Sequence, residues 1–152
     1  MSWDILIMRL PAEIRTYDDL ESSEGDPMLP LGRRADVIQR ISAEFEGTDW
    51  SDPAWGIWSG EEGSIEFNLG DDDEIESVML HVRADDAIVA RIVRLVTACD
   101  WRALDTTTTE FLVAPSDTAG VSSWRAFRDR VLRRGDPGDR TRRRSGDEKE
   151  MD

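Results

Sequence analysis

Apolar residues recur along this chain with two periods, close to two and close to 3.6, and the alternation of those periods predicts its elements. Trp3–Leu10 is a short run rich in Ile, Leu and Trp, stopped by Pro11. It reads as a strand with two largely apolar faces, as a central strand covered on both sides would be. Residues 12–32 hold Gly25, Pro27, Pro30 and Gly32 and read as a long loop with one helical turn near Tyr17–Leu20. Over Arg33–Glu46 the period changes: Val37, Ile38, Ile41 and Phe45 make one helical stripe, and Gly47 sits where a left-handed cap belongs. Ser51-Asp52-Pro53 then predicts a turn.

The period of two returns in Trp55–Trp58, in Ser64–Leu69 (Ile65, Phe67 and Leu69 on one face) and in Ile75–Arg83 (Val78, Leu80 and Val82 on one face). Ser59–Gly63 and Gly70–Glu74 are the connecting loops of an antiparallel meander. A second helix follows, with Ile88, Ile92, Leu95, Val96 and Cys99 as its buried stripe and Asp85 or Asp86 as its cap. Trp101–Asp105 is predicted as the last core strand. Thr106–Thr109 is too β-branched for a helix interior and reads as a loop or strand edge, with pairing continued by Glu110–Val113. Beyond Pro115, Ser122 or Ser123 would cap a short helix ending at Arg134, with Trp124, Phe127, Val131 and Leu132 on one face.

The predicted fold class is α+β: an antiparallel sheet with two helices on one face, in the ferredoxin-like order β-α-β-β-β-α-β, followed by a C-terminal helix and a tail. Three regions result: an α+β domain at 1–114, a linker with a short amphipathic helix at 115–135, and an Arg-rich tail at 136–152. That tail has Met151 as its one large apolar residue and is expected to be disordered.

Charge sharpens this division. Residues 1–120 hold nine arginines and no lysine against 26 acidic residues, a balance of −17, whereas residues 121–152 balance at +3. A body of that charge repels phosphates and anionic membrane and attracts basic partners, so nucleic acid contact is expected only through the tail. Trp3–Leu10 is interrupted by Asp4 and Arg9 and is not expected to be a signal peptide; no segment reaches the roughly 20 apolar residues of a membrane span. Cys99 stands alone, so neither an internal disulfide nor a cysteine zinc site is expected, and the expected location is the cytoplasm.

Few residues invite chemistry. Asp71-Asp72-Asp73-Glu74 is oxygen-rich but lacks the EF-hand spacing, with Val82 where the twelfth-position glutamate would stand, so a solvated turn without metal is expected. His81 is the one histidine, and alternation aims it away from Val78, Leu80 and Val82. Ser77 lies four strand residues away, about 13 Å, too far to be its nucleophile. Neighbouring Arg83 and Glu66 would complete a polar site on the open sheet face. Cys99 is expected to be a buried small hydrophobe. Trp50, Trp55 and Trp58 lie around one turn, and with Glu61 and Glu62 they form the predicted protein-binding surface. No cofactor is implied.

Ser2-Trp3-Asp4-Ile5, Asp52-Pro53-Ala54-Trp55-Gly56, Ser64–Gly70, Ser77–Val82 and Ala103-Leu104-Asp105 together resemble a group of small acidic bacterial proteins without an assigned role. The resemblance spans about residues 1–112 and brings no catalytic residues with it. In size, charge and architecture the chain is also similar to immunity proteins that neutralise toxins. These features lead to a small cytoplasmic module that binds a protein partner, a basic one. The alternative is an enzyme or small-ligand domain using the sheet face around His81.

Overall fold

A computed structural model describes residues 2–134. The predicted tail at 136–152 lies outside the described residues. The chain is α+β, with an antiparallel seven-stranded sheet. Its strands are β1 (Trp3–Met8), β3 (Asp49–Asp52), β4 (Trp55–Gly60), β5 (Gly63–Asn68), β7 (Ser77–Ala84), β8 (Arg102–Asp105) and β9 (Glu110–Phe111). They lie in the order β3-β4-β5-β7-β1-β8-β9. Two further short strands, β2 (Gly32–Arg33) and β6 (Glu74–Ile75), pair only with each other.

Four helices accompany the sheet: α1 (Tyr17–Ser22), α2 (Arg34–Glu44), α3 (Ile88–Cys99) and α4 (Ala119–Arg134). The main core lies between α2, α3 and one sheet face. It gathers Trp3, Ile5 and Ile7 with Ile65, Phe67, Leu80 and Val82 from the sheet, and Val37, Ile41, Ile88 and Ile92 from the helices. Val121 and Trp124 of α4 join the same cluster.

The expectation of two helices on a single face is therefore too simple. Leu6 and Met8 alternate with Ile5 and Ile7, so they project to the opposite side. There a second cluster of Met8, Leu10, Ile14 and Leu104 is packed by Tyr17, Leu20, Met28 and Phe111. The segment predicted as a long loop with one helical turn thus covers one end of the second face, which explains why β1 is apolar on both sides.

Several boundaries also differ. The β4–β5 connection is a two-residue turn, Glu61-Glu62, because Gly60 pairs with Gly63. Helix α3 begins at Ile88 without a side-chain cap; Asp85 instead accepts the Ala87 amide at 3.0 Å. Helix α4 starts at Ala119, ahead of Ser122 and Ser123. Cys99 is half-buried and packs against the core edge.

Helix α1 is closed by a capping box: Thr16 Oγ1 accepts the Asp19 amide, and the Asp19 carboxylate accepts the Thr16 amide. The Arg15 and Thr16 backbone N–H groups hold the Asp19 carboxyl below its ordinary 3.8. A depressed acid contributes stability that is present above its unfolded pKa and lost as pH falls through its folded one. Acidification below about pH 4 is therefore expected to raise amide exchange in α1 before α2 and α3. Site-resolved hydrogen exchange checks this ordering.

Candidate functional site on the open sheet face

Registers across β4, β5, β7 and β1 place Ile57, Glu66, His81 and Asp4 in one row, and Trp55, Asn68, Met79 and Leu6 in the next. Both rows face away from α2 and α3. The second cluster covers the Leu6 end of these rows and leaves the Ile57 end open: Ile57 is 48% exposed, with Trp55, Glu66, His81 and Asp4 half-buried around it.

The open surface is ordered by its own contacts. Trp55 stacks on His81 with ring centroids 5.6 Å apart and an interplanar angle of 19°. Strands are spaced about 4.8 Å apart, so the indole on β4 must reach across β5 to meet a ring on β7. His81 Nδ1 lies 3.0 Å from Asp4 Oδ1, and Ser2 Oγ donates to the same oxygen at 2.6 Å. Arg83 pairs with Glu66 at 3.1 Å.

Asp4 can fix the imidazole tautomer, leaving Nε2 as the polar atom free of that pairing. The Ser2 hydroxyl, however, donates to Asp4 and not to the imidazole. A serine activated as nucleophile needs the reverse arrangement, with its proton on the ring nitrogen. The row presents an aromatic–aliphatic patch, Trp55 and Ile57, with Asp4 held by His81 and Ser2, and Glu66 held by Arg83, beside it.

The structure brings His81, Arg83 and Glu66 onto one face, as their alternation predicts. It does not bring Trp50, Trp55 and Trp58 together. Trp58 is buried on the helix side, edge-on to Phe45 at 5.1 Å. Trp50 also packs on that side, its indole N–H donating to Ser42 Oγ at 2.9 Å and its ring lying over Gly56. A Cβ at Gly56 would fall 2.6 Å from that ring, so this glycine is the seat of an indole.

Glu62 is engaged as well. Arg91 of α3 lies 4.8 Å from the centroids of both Phe45 and Trp58. Its Nε donates to Glu44 at 3.1 Å, and its other nitrogens reach the Glu44 carbonyl and, at 3.5 Å, Glu62. With the Arg91 and Glu44 side chains only about one-fifth exposed, this is a clasp binding the β4–β5 turn to α2 and α3. Glu61 remains exposed at the turn.

Two other polar features lie away from this face. Arg34 ties down the acidic loop through the carbonyls of Pro53, Gly70 and Asp72, while Asp73 meets Arg33 at 3.6 Å. Among the described residues no group of three His, Cys, Asp or Glu side chains is placed to hold a metal ion. A concavity of about 640 Å³ lies along β9 and the start of α4, lined in part by Arg15, Tyr17, Asp105 and Asp117. Two of its four carboxylates are committed to structure: Asp117 accepts the Val113 and Ala114 amides, and Asp105 holds Trp3 and the loop after it, while Asp18 and Glu110 complete the lining.

The role of Asp4 is hidden in the sequence because its run reads as a buried strand and its histidine partner lies 77 residues away. No helix among the described residues is long and apolar enough to cross a membrane. Comparison with protein-family models, curated proteins and solved structures yields no match.

Proposed function

We propose that this chain is a cytoplasmic protein-binding module whose open sheet face receives a basic, apolar-bearing segment of a partner, in the manner of an immunity-type inhibitor. The observation that carries this reading is the Ile57–Trp55 patch, nearly half exposed at Ile57, flanked by Asp4 and Glu66 on a body of charge −17. An aromatic anchor with a nearby aliphatic side chain is the usual centre of a protein interface. Surrounding negative charge would speed encounter with a basic partner and make it salt-sensitive. The sequence β5-β7-β1-β8 within the sheet, with α2 and α3 on one side, supports the finer ferredoxin-like reading of the architecture. Such folds host unrelated activities, so the weight rests on the face and not on the fold.

A labelled amphipathic Arg/Leu peptide, titrated into the full chain by fluorescence anisotropy, tests the reading. Ile57→Asp or Trp55→Ala is expected to weaken binding about tenfold or more, and added salt to weaken the parent complex. Equal affinity for parent and both variants, each with an intact circular dichroism spectrum, rules out the face as the docking surface.

A further inference from the structure

The chemistry proposed for the partner also exists within the chain. Helix α4 carries Arg125, Arg128, Arg130, Arg133 and Arg134 against one acid, Asp129. Its N-terminal half is anchored: Val121 is fully buried, Trp124 nearly so, and Arg125 pairs with Asp86 at 3.0 Å. Its C-terminal half is not. Phe127 is 49% exposed, Val131 37% and Leu132 64%, and Phe127 and Val131 lie one helical turn apart on the same side. Trp124 Nε1 is also the buried side-chain donor left without an acceptor among the described residues. Helix α4 thus leaves a buried donor unpaired and three large apolar side chains exposed among the described residues.

We infer that the exposed C-terminal half of α4 docks on the open sheet face of a second copy, placing Phe127 and Val131 against Ile57 and Trp55 and the helix arginines near Asp4 and Glu66. This rests on the open-face reading above and names the partner of that site. Charge complementarity selects the occupant: pairing α4 with another α4 would oppose arginines, whereas the body of a second copy offers −17. A copy cannot serve itself. Its α4 is anchored on the helix side of the sheet, where Gly120 abuts Asp105 and Trp3, whereas Ile57 projects from the other side. Because α4 and Ile57 lie on opposite sides of the sheet, the contact between copies runs head to tail.

Sedimentation equilibrium on the full chain, at low and high salt, tests the inference. Head-to-tail self-association is expected whose dissociation constant rises at least about tenfold with Phe127→Glu/Val131→Glu, with Ile57→Asp and with added salt. All three residues are exposed, so the variants should keep the parent circular dichroism spectrum. Self-association indifferent to Ile57→Asp or to the α4 changes overturns the inference. So does a chain that stays monomeric at every concentration, whether α4 then captures another acidic protein or a nucleic acid. If that monomer still binds the Arg/Leu peptide through Ile57, the self-docking alone fails. If it binds neither, the open-face reading fails with it.

Discussion

Gly63→Ala is expected to destabilise the fold by about 3–5 kcal/mol, among the largest effects of any single methyl group in this chain. Gly63 follows the Glu61-Glu62 turn and has φ of +139°, a conformation that side-chain-bearing residues rarely adopt. An added Cβ would also lie 2.3 Å from the Arg83 carbonyl oxygen and 2.5 Å from the Ala84 Cα. Both are backbone atoms of β7, so no rotamer change can relieve the contact. Relief requires β5 and β7 to part at the end where Glu62 O accepts the Asp85 amide. Urea unfolding monitored by tryptophan fluorescence should show a midpoint well below the parent's. Gly25→Ala is the reference, since its φ is also positive but nothing lies within 4 Å of the added carbon.

Asp105→Ala should cost about 3 kcal/mol and release α4 from the sheet domain. Asp105 is 1% exposed, and its Oδ1 accepts the Trp3 indole N–H at 3.0 Å and the Thr107 amide at 2.8 Å. Removing the carboxylate strands a buried indole donor and loosens the turn, where Thr109 sits at φ +56°. The first turn of α4 packs directly on this carboxylate: a Cβ at Gly120 would fall 1.8 Å from Asp105 Oδ2 and 2.8 Å from Trp3 Nε1. Gly120→Ala should therefore destabilise as well, although alanine is the better helix former by about 1 kcal/mol. That opposition of sign separates close packing from helix propensity. Thermal unfolding of both variants, with amide exchange along α4, reads the effect; a stabilised Gly120→Ala would mean that α4 does not seat on Asp105.

Much of this architecture is legible where burial is one-sided. The Val37, Ile41 and Phe45 stripe and the Ile65, Phe67 and Leu69 alternation each carry their period openly, and the structure buries all six. Strand β3 is invisible because it is mostly exposed: Asp49, Ser51 and Asp52 leave no alternation to read. The second cluster is hidden for another reason. Met8 and Leu10 end the first run, Ile14 follows Pro11, and Leu104 lies about 90 residues on, so no local rhythm announces that they meet. The division of the tryptophans was available, by contrast. Trp55 and Trp58 are three residues apart, and an odd spacing on a strand sends side chains to opposite faces. Nearness in sequence suggested one cluster where the pleat makes two.

The site itself was half visible. Alternation aims His81, Arg83 and Glu66 at the open side, but the partners that shape the patch arrive through register: Asp4 from β1 and Trp55 from across β5. Glu62, a surface acid in the sequence, proves to be tied to Arg91. Glycines that read as punctuation, Gly56 and Gly60, are the flat seats on which Trp50 and Trp58 lie.

Chemical-shift mapping of the full chain with the Arg/Leu peptide probes most directly where a basic segment lands. Perturbations should concentrate at Asp4, Trp55, Ile57, Glu66 and His81, with the Trp58 indole and the Glu61-Glu62 turn unchanged. Shifts centred on Trp50, Trp58 and that turn, with the His81 row silent, would contradict the open face as the binding surface.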